Sequence, residues 1–337
     1  LAVNSRVVQY LCDAAQNGKE VTVLIELRAR FDEKNNIEWA EMLEKAGCNL
    51  IYGFEEVKVH SKLCLVTLKK ADKISYITQI GTGNYNEKTA KLYSDLSLFT
   101  ANQAIAQDAI IFFKNMAISN LQGTYNLLWV APYAYKAQLM EMIDREIEKT
   151  ANGQPGRIIF KANSLSERDI IDKLSQASQA GVKIDLIIRG ICCLLPHVKG
   201  KSENIQVTSV VGRFLEHARI YAFGEGEDVK IWISSGDLMT RSLLRRVEVA
   251  VPILDKSLKN RVISMLHIML NDNVKGHHLM KNGRHQRIKD DRPRLNSQEY
   301  FIEEARNRVV IPEVSVISKP IKKSWFQRLM EWFRVSA

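Results

Sequence analysis

The run Val57-Lys58-Val59-His60-Ser61-Lys62-Leu63-Cys64-Leu65-Val66 alternates apolar and polar residues on both sides of its histidine. Alternation of that kind predicts a β-strand, with His60 and Lys62 projecting from one face. A neutral imidazole is a competent nucleophile near pH 7, and a cation beside it neutralises phosphoryl oxygens, so the pair suits phosphate chemistry. A single His-x-Lys is more often just the polar edge of a half-buried strand. Repetition gives it weight: His217-Ala218-Arg219 is a distant counterpart.

Outward from these two sites the chain repeats itself. Residues 170–188 overlay residues 7–25 at a constant offset of 163, each a helix-like segment, a glycine (Gly18, Gly181) and an apolar strand. Asn4-Ser5 reads as the first helix cap, and residues 21–27 are apolar on both faces, as in a parallel strand covered by helices. Arg28 and Arg30 leave the first strand and Arg189 leaves the second, at the carboxyl ends where α/β sheets bind ligands; two arginines there suit phosphate, or pair with Glu26 and Glu33 on the surface. Gly81-Thr82-Gly83-Asn84 is answered by Ser234-Ser235-Gly236-Asp237, with Gly83 following His60 by 23 residues and Gly236 following His217 by 19. The glycines are expected to let backbone amides approach an anion. Further strands are expected at 48–52, 74–80, 127–132 and 248–253, with helices at 37–46, 137–149 and 257–270. A domain boundary is placed near residue 126.

The 337 residues suffice for two domains, and 46% hydrophobic with 26% charged residues is ordinary globular composition. A net charge of +10 implies an anionic partner. Five cysteines without CxxC spacing suggest reduced, buried thiols. No apolar run reaches the length of a membrane helix. Composition turns polar and basic over residues 275–294, and residues 325–334 are amphipathic and aromatic-rich, suited to a membrane surface, a partner subunit or the chain's own core. The start at Leu1, directly on a helix-like segment, leads us to expect that an upstream part is missing.

Paired His-x-Lys/Arg elements, each followed by a glycine loop, resemble the phospholipase D superfamily, where two halves face one active site. The superfamily's usual aspartate is absent, its place falling on Thr67 and Gly224. The strings Glu26-Leu27-Arg28-Ala29-Arg30-Phe31-Asp32-Glu33, Gly81-Thr82-Gly83-Asn84-Tyr85-Asn86-Glu87-Lys88-Thr89-Ala90, Leu92-Tyr93-Ser94-Asp95 and Arg189-Gly190-Ile191-Cys192 resemble the carboxy-terminal catalytic half of the bacterial polyphosphate kinase family, over roughly residues 1–270.

The resemblance implies an α/β fold of two similar phospholipase D-like domains, residues 1–126 and 127–312. Each would be a mixed or mostly parallel sheet flanked by helices, related by a pseudo-twofold, with a basic amphipathic tail at 313–337. It makes His60 the phosphohistidine and His217 the second active-site histidine, with Lys62 and Arg219 as catalytic cations. Tyr93, Arg189 and His217 match nucleotide contacts, and Arg30 matches a magnesium and phosphate site. The reaction implied is reversible transfer of the terminal phosphate of ATP to inorganic polyphosphate, with Mg2+. ATP, ADP and polyphosphate are the expected partners, and nucleic acid is not. A homo-oligomer in the cytoplasm is expected, with the inner face of the plasma membrane as a docking option. The family's amino-terminal domains and one further arginine would lie before Leu1, which leaves activity of this stretch alone an open alternative. Nothing is carried over beyond about residue 275.

Two other readings stay open: a phosphodiesterase or nuclease using the same histidines, and a non-catalytic polyanion-binding scaffold. Glu216 and Arg219 flank His217 and are expected to stabilise its imidazolium for proton transfer.

Overall fold

The computed structural model describes residues 4–28 and 33–307. The first repeat opens with α1 (Arg6–Gln16) and β1 (Thr22–Ile25), joined through Gly18 at a φ of 74°. Helix α2 (Glu33–Lys45) follows, and β2 (Asn49–Tyr52) lies parallel to β1. Val8 and Cys12 of α1 close on Trp39 and Leu43 of α2 over Ile25, which accounts for the apolar positions of both helices. Ser5 is the residue before α1 but its side chain makes no capping bond; the amide of Arg6 instead donates to Glu87 Oε1 at 3.0 Å.

The strand expected to run through His60 is broken. β3 (Lys58–Val59) ends before it and β4 (Leu63–Lys70) begins after Lys62. The chain changes partners here: the amide of His60 donates to Val247 O at 2.9 Å, whereas Lys62 O accepts from Gly81 N at 3.0 Å. β4 then forms an antiparallel hairpin with β5 (Lys73–Gly81). Helix α3 (Glu87–Ala90), β6 (Tyr93–Ser94), β7 (Ser97–Thr100) and α4 (Gln103–Ala117) complete this part, with β7 antiparallel to β5.

The remaining elements are β8 (Trp129–Val130), α5 (Tyr135–Ala151), β9 (Arg157–Ala162), α6 (Arg168–Gln179), β10 (Lys183–Ile188), β11 (Ile205–Val210), β12 (Leu215–Glu216) and β13 (Arg219–Phe223). They continue as β14 (Lys230–Ser234), α7 (Thr240–Leu244), β15 (Arg246–Val247), β16 (Val249–Pro252), α8 (Lys256–Leu270), β17 (Gly276–Leu279), β18 (His285–Arg287) and α9 (Ser297–Asn307). Nine strands form one mixed sheet in the order β18-β17-β11-β10-β9-β13-β14-β16-β8, with β9, β10 and β11 mutually parallel. Its core gathers Tyr135, Leu139 and Ile143 of α5 and Leu174 of α6 on Phe160, Leu186, Tyr221 and Phe223. Of the described residues, those up to 298 form one compact unit, and 299–307 fall outside it.

The same strand order recurs in both repeats. The parallel pair β1-β2 answers β10-β11, and the antiparallel set β4-β5-β7 answers β13-β14-β16. In the later repeat β9 lies between β10 and β13 and fuses the two sets. Among the described residues no strand joins β1 to β4, so the single sheet expected in the first repeat is in two pieces.

Two further expectations change. Of the cysteines, Cys12 and Cys48 are buried but Cys64 and Cys193 are exposed, on a strand face and a loop left open among the described residues. The segment 325–334 and the tail 313–337 lie outside the described residues. Among those described, no helix is long and apolar enough to cross a membrane.

Candidate active site

Two short parallel ladders stitch the repeats together. β3 pairs with β15 (Lys58↔Arg246, Val59↔Val247), and β6 pairs with β12 (Tyr93↔Leu215, Ser94↔Glu216). Each ladder ends in a histidine on one strand and a carboxylate on the other. His60 Nδ1 therefore lies 3.0 Å from Glu248 Oε2, and His217 Nδ1 lies 2.8 Å from Asp95 Oδ1. Each histidine is held by a carboxylate of the other repeat.

The supports behind those carboxylates repeat too. Thr82 Oγ1 donates to Asp95 Oδ1 at 2.7 Å, and Ser235 Oγ donates to Glu248 Oε2 at 2.5 Å. Thr82 and Ser235, Gly83 and Gly236, and Asp95 and Glu248 are all 153 residues apart. The glycines thus have a use other than the anion cradle expected of them. A Cβ on Gly83 would stand 2.4 Å from Asp95 Oδ2, and one on Gly236 would stand 3.1 Å from Glu248 Cβ. They make room for the carboxylates.

A carboxylate against Nδ1 fixes the proton on that nitrogen and leaves the lone pair on Nε2, in both rings. Burial lowers the pKa of His60 below 6.5 despite the opposing pull of Glu248. His217 is lowered in the same way, burial outweighing its bond to Asp95. Burial alone would raise Glu248, but His60, Lys62 and the Ser235 hydroxyl hold it below its usual range. Among the described residues Glu248 Oε1 has no hydrogen-bond partner, and Arg246 Nη1 is 3.8 Å from it.

Lys62 is buried, its ammonium turned onto His60 O, and burial pushes its pKa down to about 7 against the attraction of Glu248. Arg219 occupies the equivalent place in the later repeat. Its Nη1 lies against the His217 ring, 3.1 Å from Nε2, while Nη2 donates to Asp237 Oδ2 at 2.9 Å. Asp237 comes from the glycine loop, so Arg219 has a carboxylate partner although Gly224 stands where the superfamily's aspartate is expected.

The Tyr93 ring lies 4.9 Å from that of His217, tilted by 45°. Arg189 leaves β10 and donates through Nε to Glu216 O at 2.6 Å and Asn163 Oδ1 at 2.7 Å, which keeps the rest of its guanidinium beside the same histidine. Of the site residues expected from sequence, His60, Lys62, Tyr93, Arg189, His217 and Arg219 are thus gathered by the two ladders and the ends of β10 and β13. Arg30 lies outside the described residues.

One expectation is corrected and one alternative is decided. Glu216 does not serve His217: it points to the other side of β12, where it takes Ser94 Oγ at 2.7 Å, Gln298 Nε2 at 2.7 Å and Lys161 Nζ at 3.3 Å. Arg28, left open between a phosphate clamp and a pair with Glu26, takes the pair: its Nε lies 3.4 Å from Glu26 Oε1, and its guanidinium also donates to the carbonyls of Phe54, Glu55 and Val57, bracing the loop before β3. The residues that sequence reasoning missed are Asp95, Glu248 and Arg246. For Asp95 and Glu248 the signal was the 153-residue offset of the glycine loops, which sets the two carboxylates in register; at that offset Arg246 falls on Tyr93, so it had no such signal.

Among the described residues no three His, Cys, Asp or Glu side chains converge as a metal site. Both central carboxylates are engaged by histidines, and a guanidinium such as that of Arg30 has donors only, suited to phosphate oxygens rather than to a cation.

Comparison with known proteins gives consistent matches. Residues 1–122 match the model for polyphosphate kinase C-terminal domain 1, and residues 128–298 match C-terminal domain 2. The second match runs past residue 275, where the resemblance was expected to stop. The polyphosphate kinase of Staphylococcus epidermidis is 44% identical over 98% of this chain, and that of Staphylococcus saprophyticus is 45% identical over 98%. The crystal structure of polyphosphate kinase from Porphyromonas gingivalis superposes with a TM-score of 0.82 at 36% identity over 90% of this chain, covering 46% of that one. The chain spans about half the length of the curated relatives it matches, 46% and 47% of these two.

Proposed function

The chain belongs to the polyphosphate kinase family, by both of its carboxy-terminal domain models, and from that membership and the site geometry we propose that it carries the centre for reversible phosphoryl transfer between ATP and inorganic polyphosphate through a phosphohistidine at His60. The observation that carries this reading is the reciprocal pairing of His60 with Glu248 and His217 with Asp95. It leaves two Nε2 lone pairs in one cationic site, an arrangement suited to covalent transfer and superfluous in a scaffold.

In the first step His60 Nε2 attacks the terminal phosphorus of ATP, the bond to the bridging oxygen breaks, and ADP leaves as an anion. Glu248 keeps the Nδ1 proton and offsets the charge that the ring acquires. In the second step a terminal oxygen of polyphosphate attacks the same phosphorus, the N–P bond breaks, and His60 is restored. His217 Nε2 takes or returns the proton of the attacking or leaving phosphate, with Asp95 holding its tautomer. Lys62 and Arg219 neutralise the transferred oxygens, and Tyr93 and Arg189 seat the nucleotide. Phosphoryl transfer asks mainly for positioning and charge neutralisation, which these residues supply. Magnesium would enter with the phosphates of ATP, whose charge it would neutralise. In this reading the halves on either side of residue 126 meet at this site about a pseudo-twofold.

Incubation with ATP labelled in its terminal phosphate should yield acid-labile, base-stable label on His60, lost in His60→Ala and retained at reduced turnover in His217→Ala. Stable label on His217 with His60 unmodified would reverse the two roles. Hydrolysis of a phosphodiester without ATP, and no label, would favour the phosphodiesterase reading.

A further inference from the structure

The charge at the far edge of the nine-stranded sheet is not used by the histidine site. Residues 275–294 carry seven Lys and Arg against two Asp, half the net charge of the chain in twenty residues. They fold as the edge hairpin β17–β18 and the loop that follows. Asp290 is taken by Arg292, whereas Lys275, Lys281, Arg284, Lys289 and Arg294 are exposed and make no ion pair among the described residues.

Strand direction decides where those cations point. β18 is antiparallel to β17, and β17 to β11, so β18 runs with β9, β10 and β11. The end of β18 at Arg287 therefore lies with the carboxyl ends of those strands and with the start of β13 at Arg219. Along that one end stand Arg219 of β13, Arg189 after β10, Arg213 after β11, Lys275 before β17, and Arg287 and Lys289 at β18. Of the acids there, Asp237 pairs with Arg219, Glu216 with Lys161 and Asp290 with Arg292, Asp272 accepts the amides of Val274, Lys275 and Gly276, and Asp291 is exposed. The opposite end mixes signs, with Glu203, Glu225, Lys183, Lys281 and Arg284. A concavity of about 350 Å³ opens at the hairpin, lined in part by His278, Gln286, Arg287, Lys289 and Arg292. From β13 to β18 is five strand spacings, about 24 Å along the sheet.

We propose that this row of strand-end cations is a track for the polyphosphate chain, with the β17–β18 hairpin as its anchorage remote from the histidines. The proposal rests on the function assigned above and deepens it. Closely spaced like charges along one line match a flexible linear polyanion better than a compact ligand. Lys and Arg on an edge strand also guard against edge-to-edge aggregation, but that role does not require the cations to gather at one end.

The test compares two charge removals in the full chain. Arg213→Gln/Lys275→Gln/Lys289→Gln strips the track, and Lys281→Gln/Arg284→Gln strips the turn end of the same hairpin. Affinity is measured for long-chain polyphosphate and for tripolyphosphate, which is too short to reach from His217 to the hairpin. The track variant should lose roughly tenfold or more in affinity for long chains, with a shallower salt dependence and unchanged tripolyphosphate binding, while the turn variant stays within about twofold. Equal losses in the two variants, or no loss in either, overturn the track. Single-stranded DNA of equal charge competing as well as polyphosphate overturns the ligand. Wild-type chain that binds no polyphosphate of any length sinks the underlying function instead, an outcome visible before any variant is made.

Discussion

At Glu248 a single carboxylate holds His60 Nδ1, which is what the proposed phosphohistidine step asks for, so the side chain should matter through its charge rather than its bulk. Glu248→Gln keeps the size and should leave the thermal midpoint close to wild type, yet slow labelling of His60 by ~100-fold or more, since an amide can hold the wrong tautomer. Labelling at near wild-type rate would remove Glu248 from the mechanism. Lys62 gives a pH signature. With a pKa near 7 it is charged below that pH and neutral above it, whereas His60, held below 6.5, is already neutral. The kcat/KM for ATP should fall as pH rises through about 7 and show its acid limb below 6.5. Lys62→Arg, charged at every accessible pH, should remove the alkaline limb even at a lower plateau; a limb that stays at pH 7 would place its origin elsewhere.

Among the elements, the two glycine loops make the sharpest contrast. A methyl group on Gly83 meets the Asp95 carboxylate at 2.4 Å, but on Gly236 it first meets the Glu248 methylenes at 3.1 and 3.2 Å, with the carboxylate carbon at 3.6 Å. Gly83→Ala should thus cost about 1–3 kcal/mol of stability and impair His217-dependent turnover, and Gly236→Ala should cost less. Equal melting temperatures would contradict the geometry. The loops also show how far the sequence could be read. Helix, glycine and apolar strand are local patterns, and the offset of 163 between them was plain. The offset then drops to 157 at the histidines and 153 at the glycine loops, so one fixed shift carries no further than the first strand. The partners of the histidines were hidden for a deeper reason. Asp95 and Glu248 reach them through ladders between repeats, and neither strand of such a ladder carries any local trace of the other. The break at residues 60–62 is invisible for the same reason, its alternation of apolar and polar residues being that of an unbroken strand.

For the whole molecule the unequal completion of the two repeats has consequences in solution. Tyr221 and Phe223 face α5 and are fully buried. The corresponding face of β4-β5-β7 presents Val66, Leu68, Ile77 and Phe99, the last 70% exposed. Among the described residues this apolar face stays open and its edge strands unpaired, an arrangement that favours association. Sedimentation of this chain should show concentration-dependent self-association, which Val66→Lys/Ile77→Lys should suppress without lowering the melting temperature. Unchanged association in that variant would move the contact to another surface.

The crossed pairing of histidines and carboxylates also bears on descent. A duplicated gene ordinarily leaves each copy free to drift, with one retaining the old role. Here neither copy owns a complete histidine–carboxylate pair: the histidine of one is held by an acid of the other, in both directions. A change in either copy is felt first by its sibling, so natural selection acts on the two as a single inherited unit, and compensating changes are expected to fall on opposite sides of the boundary near residue 126.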